Sequence, residues 1–555
     1  MSRGVIAGCL ISGVALVVSA QADSGTFRYS MLCEQSDVKA TDYSVYGRAA
    51  TGVFSFRSPK QTPEWLRFEV KAAVNGETLP RFVLSNPVTT VDEASSWTLV
   101  YTNARARAEL EFRPTKAIFR LTLHRPSPLA VQEIDLGTGS FSDADQLFDP
   151  SVRFMPYHEF PTAEPCEIKP GLASPPPWVM SYRREGREGC WSVALEPDAD
   201  KIDFTTFEHQ PAGNGVLSWK IRYPRVDAAS GDFTAPPLVF RFGDADFFAA
   251  LARHVADIRA DGKMIVPDRR LPDWHTDRIA CTWRFQRGEP RREQATEANC
   301  EAYVKMLEDN GIGFGTLIID DFWGEKHGLW EADPKKWNDL RGFIDRQHAK
   351  GRHVLLWICA DGEGLPDDEH IGYCWNPESP AFRRRLKEAA HRMLSADPGC
   401  YNADGVKFDF TSSYVGDCRG RGLRNVGCGF IRERFRVLGE ALLAVKPDAV
   451  LDFQCTNPYF THTLTMLRLN DYFGVPEHGL AEMRLRARIA AICAPGAVID
   501  TDHISFSEFP YDGGLDFFRE CRTFGVESLY LGPAEMKNGA LLEILRESNG
   551  KRGCR

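Results

Sequence analysis

The sequence has little of the clustered positive charge that nucleic-acid-binding proteins use. Its net charge is −9, with 67 Lys and Arg against 76 Asp and Glu, and no long basic run stands out. Because clustered Lys and Arg normally neutralise the phosphate backbone, we expect no nucleic-acid partner. Hydrophobic residues make up 43% of the 555 residues and charged residues 26%, which argues against a mostly disordered chain. The length suits two or three domains.

Motifs for zinc binding and for redox chemistry are also missing. The 15 Cys are irregularly spaced without a CxxC pair, and no HExxH sequence occurs. Oxygen-only sites for Mg²⁺ or Ca²⁺ have no sharp pattern, so clustered Asp residues keep that alternative open. We expect no metal and no organic cofactor. Cys418 and Cys428 flank an Arg- and Gly-rich loop that a disulfide could close, whereas Cys281 and Cys359 suit small buried positions on strands.

Long apolar runs are absent after residue 22, so no later segment is expected to cross a bilayer. The first 22 residues have the pattern of a secretory signal peptide, with Arg3, an apolar stretch from Val5 to Val18, and Ala20 and Ala22 at a cleavage site. An uncleaved anchor is the alternative, but the apolar stretch is short for a membrane span. We predict that residues 1–22 are removed and that the mature protein is secreted or periplasmic, with no membrane association.

Residues 23 to about 242 have the pattern of a β-rich domain. Short runs of alternating apolar and polar residues recur, as in Leu66–Val70, and Pro, Gly, Asn and Asp separate them. Many short strands at this spacing are typical of a sandwich. A helical period from Ala245 to Ile258 follows, and the Pro-bearing segment Val266–Pro272 marks a boundary. We predict a β-sandwich domain with a linking helix over residues 23–265.

Residues 266–555 alternate between strand and helix patterns. Eight strands with eight helices is the count that a closed (β/α)8 TIM barrel needs, so we predict a multidomain chain that ends in such a barrel. A doubly wound open sheet is the alternative, but Thr282-Trp283-Arg284-Phe285 is not the Gly-rich turn that its first strand would need. The candidate strands begin at Arg278, Gly315, Arg352, Asp404, Ala449, Leu469, Ala497 and Val526. The candidate helices are Glu297–Asn310, Lys336–Lys350, Pro380–Leu394, Ile431–Val445, Tyr459–Leu467, Leu480–Cys493, Leu515–Phe524 and Glu535–Glu547.

Carboxylates and Trp collect at the ends of these strands, where the active site of a TIM barrel lies. One carboxylate there is often a helix N-cap or part of an ion pair, but carboxylates after the second, fourth, sixth and seventh strands together are poorly explained in that way. Carboxylates and a Lys can hydrogen-bond sugar hydroxyls, and Trp can cover the apolar face of a sugar ring. We therefore predict a carbohydrate substrate. The residues at these strand ends are Trp283, Asp320, Asp321, Trp323, Trp357, Lys407, Asp409, Cys455, Arg468, Asp471 and Asp502.

Several motifs of the barrel resemble clan D of the glycoside hydrolases. The matching stretches are Ile319–Trp323, Trp337–Ile344, His348–Gly351, Leu356-Trp357 and Val406–Phe410. The clan holds the α-galactosidases of families 27 and 36 and the α-glucosidases and α-xylosidases of family 31. The resemblance covers roughly residues 275 to 535, and its most specific part is the Lys-x-Asp strand.

The resemblance implies a role for each matching residue. Asp409 is similar to the family nucleophile, and Asp471, in Arg468-Leu469-Asn470-Asp471, is similar to the acid/base. Lys407 and the pair Asp320 and Asp321 resemble residues that bind sugar hydroxyls. Cys455 stands where a pocket Cys ends the fifth strand in α-galactosidases, and we also expect Trp283, Trp323, Trp357, Arg468 and Asp502 to bind substrate.

The resemblance implies a retaining, exo-acting α-glycoside hydrolase, most similar to an α-galactosidase. Asp409 and Asp471 would carry a double displacement. Cys455 is followed by Thr-Asn-Pro and not by the Ser-Gly-Gly run of typical family 36 members, so α-glucosides and α-xylosides remain alternative substrates. A non-catalytic carbohydrate-binding barrel is the alternative from another class, and oligomerisation stays open.

Overall fold

The computed structural model describes residues 10–11, 14–20, 26–33, 43–57, 64–86, 97–141, 144–151, 158–171, 176–268, 270–286, 291–472, 476–502 and 514–549. In the first three ranges only the backbone is described. There, Val14–Ala20 is extended and pairs antiparallel with Thr26–Cys33. Apart from this strand and Leu10–Ile11, the predicted signal peptide lies outside the described residues, and its cleavage stays a prediction.

Two antiparallel sheets form the N-terminal region. The first has the order β1-β2-β3-β4-β5-β6-β12-β19-β18-β15, with β7 on β6, and the second has the order β14-β13-β16-β17-β21-β11-β10-β9-β8, with β20 on β11. The strands are β1 (Leu10–Ile11), β2 (Val14–Ala20), β3 (Thr26–Cys33), β4 (Ser44–Arg48), β5 (Val53–Arg57), β6 (Glu64–Val74), β7 (Glu77–Thr78), β8 (Val83–Asn86), β9 (Trp97–Thr102), β10 (Ala106–Phe112), β11 (Ala117–Leu129), β12 (Glu133–Ser140), β13 (Gln146–Phe148), β14 (Glu159–Pro161), β15 (Cys166–Ile168), β16 (Val179–Arg183), β17 (Cys190–Leu195), β18 (Thr206–Gly213), β19 (Val216–Arg222), β20 (Ala229–Thr234) and β21 (Leu238–Asp244).

The two sheets pack face to face through aromatic side chains. The ring of Phe56 on β5 lies 4.9 Å from that of Phe242 on β21, measured between centroids, and Phe68 on β6 lies 5.2 Å from Phe119 on β11. The alternating sequence of β6 explains this packing, because every second residue from Leu66 to Val74 is buried while the residues between are more exposed. The predicted sandwich is confirmed.

Eight parallel strands form the C-terminal barrel, in the order β22-β23-β24-β27-β28-β29-β30, with β31 on the other side of β22. Between β30 and β31 the barrel closes through two backbone bonds, from Val526 N to Ile499 O at 2.7 Å and from Thr501 N to Val526 O at 3.1 Å. The strands are β22 (Ile279–Cys281), β23 (Thr316–Ile319), β24 (His353–Cys359), β27 (Gly405–Asp409), β28 (Val450–Phe453), β29 (Met466–Arg468), β30 (Val498–Asp500) and β31 (Ser528–Leu529). A hairpin of β25 (His370–Ile371) and β26 (Cys374–Trp375) follows β24.

Helices alternate with these strands, as predicted, except between β28 and β29. A single 3₁₀ turn, Pro458–Phe460, occupies that connection within the described chain, so the predicted helix Tyr459–Leu467 is wrong. No described helix is long and apolar enough to cross a membrane. The helices are α1 (Phe247–Ala260), which links the two regions, α2 (Glu297–Asp309), α3 (Leu340–His348), α4 (Pro380–Leu394), α5 (Cys428–Val445), α6 (Pro476–Cys493), α7 (Gly514–Glu520) and α8 (Gly539–Glu547).

The barrel interior changes from apolar to charged along the strands. Near the starts of the strands, a cluster of apolar side chains is buried, and it includes Ile279, Ile318 and Val450. Successive strand residues point to opposite faces, so the next inward-facing residue is two positions further along. That second layer is polar, and it lies toward the end of the barrel where active sites form. Its members are Cys281, Asp320, Trp357, Lys407, Asp452, Arg468 and Asp500.

Candidate active site

Asp409 is the last residue of β27, and its carboxylate faces the open end of the barrel. The Trp357 indole N–H donates to its Oδ2 at 3.2 Å, and the backbone N–H of Phe410 donates to its Oδ1 at 2.9 Å. The side chain is 19% exposed, which leaves it reachable from solvent. These two hydrogen bonds fix the direction of the carboxylate without using all of its acceptor sites.

Arg468 connects Asp409 with the two other candidate carboxylates. Its Nη1 lies 3.5 Å from Asp409 Oδ1, and its Nη2 lies 3.6 Å from Asp471 Oδ1 and 2.8 Å from Asp502 Oδ2. Burial alone would lower the pKa of Arg468, but the carboxylates of Asp502 and Asp409 outweigh it and hold the pKa above its usual range. One charged guanidinium therefore lies within 3.6 Å of a carboxylate oxygen of both Asp409 and Asp471.

A buried ion pair forms the floor beneath Asp409. Lys407 Nζ donates to Asp320 Oδ2 at 2.5 Å, and the Cys281 thiol donates to the same oxygen at 3.0 Å. Burial would raise the pKa of Asp320 and lower that of Lys407, but the attraction between the two charges outweighs burial in both, so the pKa of Asp320 is lowered and that of Lys407 is raised. Both side chains are only 3% exposed, so they close the bottom of the pocket.

Asp321 has a different partner from its neighbour Asp320. His327 Nε2 lies 2.8 Å from Asp321 Oδ1, and His327 Nδ1 lies 3.8 Å from Asp361 Oδ2. Burial raises the pKa of Asp321, whereas the pKa of His327 is raised despite its burial because of the Asp321 carboxylate. His327, which lies on a loop, was not among the residues predicted from the sequence, and no motif indicated it.

The structure places Trp323 and Cys455 away from the pocket, in the core between the strands and the helices. The Trp323 indole N–H donates to the backbone carbonyl of Trp357 at 2.7 Å, and its ring packs edge-on against Tyr401. Cys455 is fully buried, and its thiol donates to Asn457 O at 3.8 Å. Both residues follow the end of a strand. The chain turns there, so the alternation of side chains along a strand no longer determines which way they point. The 12 cysteines whose side chains the structure describes are free, so the disulfide considered between Cys418 and Cys428 is absent.

Trp283 and Trp357 stay near the pocket. Trp357 bonds Asp409, as described above, and the ring of Trp283 lies 6.4 Å from that of Phe322, between centroids. Trp283 is partly exposed and packs on the apolar layer of the barrel. Both rings therefore lie near the candidate carboxylates, and binding of a sugar by them stays a prediction.

Left-handed backbone marks four of the strand ends around the site. Phe322, Phe410, Asn470 and Asp502 have φ values of +69°, +49°, +69° and +53°. Non-glycine residues rarely adopt this region, and such strain concentrates at functional sites. Each of these residues is, or directly adjoins, a candidate site carboxylate, which supports the location of the site independently of side-chain chemistry.

Asp452 is a site residue that the sequence interpretation missed. It is fully buried inside the barrel on β28, and neither of its carboxyl oxygens has a hydrogen-bond partner among the described residues. Burial, and next the nearby Asp500 carboxylate, raise its pKa well above the usual range. Asp500 also has a raised pKa from burial and from Asp502, and it accepts a hydrogen bond from Ser528. The alternation of β28 was the available indication, because Asp452 shares the inward face with Val450.

The raised pKa of Asp452 predicts a specific dependence of stability on pH. Its contribution is fully present below the unfolded pKa, about 3.9, and is lost as the pH rises through the higher folded pKa, by at most about 1.4 kcal/mol per pH unit. Asp452→Asn cannot ionise, so its Tm should fall less than that of the wild type between pH 4 and pH 8. Thermal unfolding at several pH values measures this, with the exposed Asp448→Asn as control. Parallel curves for all three proteins would contradict the prediction.

The arrangement can support acid–base and nucleophilic chemistry on a polyhydroxylated substrate. Two partly exposed carboxylates lie beside one guanidinium, near the buried ion pair of Lys407 and Asp320 and the Trp357 indole. No group of three or more His, Cys, Asp or Glu within the described ranges is placed to hold a metal ion.

Comparisons of the fold place this chain beside glycoside hydrolases of families 31 and 36, which the barrel motifs resemble. A family 31 sulfoquinovosidase from E. rectale has a TM-score of 0.58 at 11% identity, over 89% of this chain and 81% of that one. A family 36 α-galactosidase from Geobacillus stearothermophilus has a TM-score of 0.52 at 10% identity, over 94% and 85%. An α-galactosidase from Lactobacillus brevis has a TM-score of 0.51 at 10% identity, over 95% of this chain and 84% of that one. No protein-family model and no curated protein sequence matches the chain.

Proposed function

We propose that this protein is a retaining, exo-acting α-glycoside hydrolase, with α-galactosides as its preferred substrates. The observation that carries the proposal is the pair Asp409 and Asp471, which both lie within 3.6 Å of Arg468 at the carboxyl ends of the barrel strands. The closed floor of Lys407 and Asp320 supports exo action, because only the terminal sugar of a chain can enter a pocket that is closed at the bottom.

The proposed reaction has two displacements at the anomeric carbon. In the first, a carboxylate oxygen of Asp409 attacks, the glycosidic C–O bond breaks, and protonated Asp471 gives its proton to the departing oxygen. In the second, Asp471 takes a proton from water, the water oxygen bonds the anomeric carbon, and the bond to Asp409 breaks. Both carboxyl groups return to their first state, and the anomeric configuration is retained.

Buried polar groups support a role in choosing the sugar. Asp320 and Lys407 lie at the depth where ring hydroxyls of a terminal sugar would sit, and an inverted hydroxyl would leave a buried charge unsatisfied, at a cost of about 1–3 kcal/mol. The neighbours of known activity include α-galactosidases and a sulfoquinovosidase. Because the barrel motifs also resemble family 31, α-glucosides and α-xylosides are the alternative substrates to compare.

A set of aryl α-glycosides that differ only in the sugar tests the function. We expect hydrolysis of the α-galactoside with the largest kcat/KM, and we expect NMR to detect the α-anomer of the free sugar first. A larger kcat/KM for the α-glucoside or α-xyloside would transfer the assignment to those sugars, and a β-anomer appearing first would contradict retention. Hydrolysis of none of them would favour a carbohydrate-binding barrel.

A further inference from the structure

The loop that follows Asp409 leads out of the pocket and onto the β-sandwich. The backbone N–H of Arg225, just after β19, donates to Gly416 O at 3.0 Å, and Cys418 N–H donates to Arg225 O at 2.8 Å. These bonds join the loop to the sandwich as a short parallel bridge between Arg225 and Asp417. The barrel and the sandwich therefore form one continuous surface beside the site.

Two depressions on that surface adjoin along this loop. One, of about 420 Å³, is lined by Tyr373, Phe410 and Ser412, and the other, of about 620 Å³, is lined mainly by side chains of the sandwich. Tyr414 and Gly416 line both, so the two form one groove, here called the side groove. Each volume lies in the range of roughly 300–1,000 Å³ that small-molecule sites occupy.

The side groove begins at the candidate nucleophile. Phe410 donates its backbone N–H to Asp409, and its ring lies 6.2 Å from the Trp357 ring, between centroids. Phe410 is 46% exposed and Tyr373 is 63% exposed, and they are two of the four large hydrophobic residues that are exposed in the described chain. Exposed aromatic faces next to a sugar pocket suit stacking against further sugar rings.

Two buried hydroxyls in the side groove have no partner. Ser412 Oγ and the Tyr223 hydroxyl are shielded from solvent, and neither has a hydrogen bond within the described part of the chain. Ser412 lines the smaller depression and Tyr223 the larger. These hydroxyls are shielded in the empty groove, so a ligand can pair with them only after a small shift of the two side chains. The pairing would then offset the cost of leaving a buried polar group unsatisfied.

The charges of the larger depression balance one another. Its lining includes three acidic residues, Glu133, Glu167 and Glu208, and three basic ones, Lys169, Arg222 and Arg225. Lys169 Nζ pairs with Glu167 at 2.5 Å and Arg222 Nη1 with Glu133 at 2.6 Å. A lining of paired charges offers many donors and acceptors but no net charge, which fits a neutral polyhydroxylated ligand better than an anion or a cation.

We infer that the side groove binds the leaving-group end of a neutral oligosaccharide whose terminal sugar occupies the pocket at Asp409. The inference rests on the proposed function and names its substrate class, an α-linked chain of about four sugars in preference to a short glycoside. The aromatic part nearest Asp409 holds the first sugars after the cleaved bond, and the polar part on the sandwich holds the following ones.

Equilibrium binding tests the side groove without turnover. Asp409→Gly protein is titrated with melibiose and stachyose, maltose and maltotetraose, and isomaltose and isomaltotetraose. In at least one pair we expect the tetrasaccharide to bind about tenfold more tightly than the disaccharide. Adding Tyr373→Ala, which removes a mostly exposed ring and should not disturb folding, should abolish most of that difference. Adding Tyr223→Phe, which removes only a hydroxyl, should reduce it.

The control is Val83→Ala, because Val83 is 62% exposed and lies on β8, outside the lining of both depressions. The tetrasaccharide advantage should survive this change. Equal binding of the short and long sugars in all three pairs, or an undiminished advantage in the Tyr373→Ala protein, would overturn the side groove. Failure of the proposed function would appear separately, as wild-type protein that hydrolyses no aryl α-glycoside.

Discussion

Replacing Asp409 with glycine should lower kcat/KM for the best aryl α-glycoside by roughly 10⁴-fold or more, the scale on which a deleted nucleophile reduces other hydrolases. Without the carboxylate, the enzyme has no group to form the covalent intermediate. The fold should survive, because Asp409 is partly exposed and, among the described residues, accepts hydrogen bonds only from Trp357 and from the Phe410 backbone. Steady-state kinetics and a far-UV circular dichroism spectrum measure the two results.

Azide or formate should restore part of the lost activity. A small anion can occupy the space of the missing carboxylate and attack the anomeric carbon of an activated aryl glycoside. For an α-glycoside attacked from the side of Asp409, azide would give the β-glycosyl azide, which NMR identifies. The positively charged Arg468, 3.5 Å from Asp409 in the wild type, would help to hold the anion.

Asp448→Gly is the matched control for the nucleophile. Asp448 is exposed and lies just before β28, at the opposite end of the barrel, so the same substitution there should leave kcat/KM near the wild-type value without any response to azide. Activity of the Asp409→Gly protein close to that of the wild type would remove Asp409 from the role. Asp500 and Asp502 of the seventh barrel strand would then be the carboxylates to test.

The positions of most barrel strands could be predicted because their sequence pattern is strong. Apolar runs ending in carboxylates recur, and the strands predicted to begin at Arg278, Gly315, Arg352, Asp404 and Ala449 each begin one residue later in the structure. The strand predicted to begin at Leu469 is wrong, because the sixth barrel strand is Met466–Arg468 and ends before that residue. The helix predicted over Tyr459–Leu467 failed because its threonines bond backbone carbonyls, one nearby and two distant in sequence. Thr461, Thr463 and Thr465 are β-branched, and each donates its hydroxyl to a backbone carbonyl, which competes with helix formation.

The partners of the site residues could not be predicted, because they come from distant parts of the chain. The sequence presents Asp320 and Asp321 as one acidic pair, but the structure pairs Asp320 with Lys407 on β27 and Asp321 with His327 on a loop. Asp452 lies in the apolar strand Val450–Phe453, where a carboxylate has no evident purpose until the barrel closes around it. Sequence patterns indicate which end of the barrel is polar, but burial and pairing are properties of the closed barrel.

Replacing Lys407 with methionine should destabilise the protein by about 3–5 kcal/mol at pH 7, since it leaves Asp320 buried without its counter-charge. The cost is large because, within the described part of the chain, Asp320 keeps only the Cys281 thiol and the Asp321 backbone N–H as partners. Differential scanning calorimetry should show a fall in Tm on the order of 10 °C. Asp320→Asn should have a comparable effect, because it leaves the Lys407 ammonium unpaired.

The double variant Asp320→Asn/Lys407→Met separates the charge pair from simple packing. Removing both charges together should cost less than the two single changes added, because no unpaired charge remains in the barrel. Additive losses would mean that the two side chains act by packing alone.

The difference in stability between the wild type and the Lys407→Met protein should depend on pH. In the wild type, the lowered pKa of Asp320 means that its carboxylate stabilises the fold. This stabilisation is present above the unfolded pKa of about 3.9 and is lost as the pH falls through the folded pKa. The raised pKa of Lys407 means that its ammonium group also stabilises the fold. This stabilisation is present below the unfolded pKa of about 10.4 and is lost as the pH rises through the folded pKa. Without Lys407, Asp320 is protonated at low pH and then costs little to bury. The difference in Tm between the two proteins should therefore narrow from pH 7 to pH 4, and a constant difference would contradict the buried ion pair.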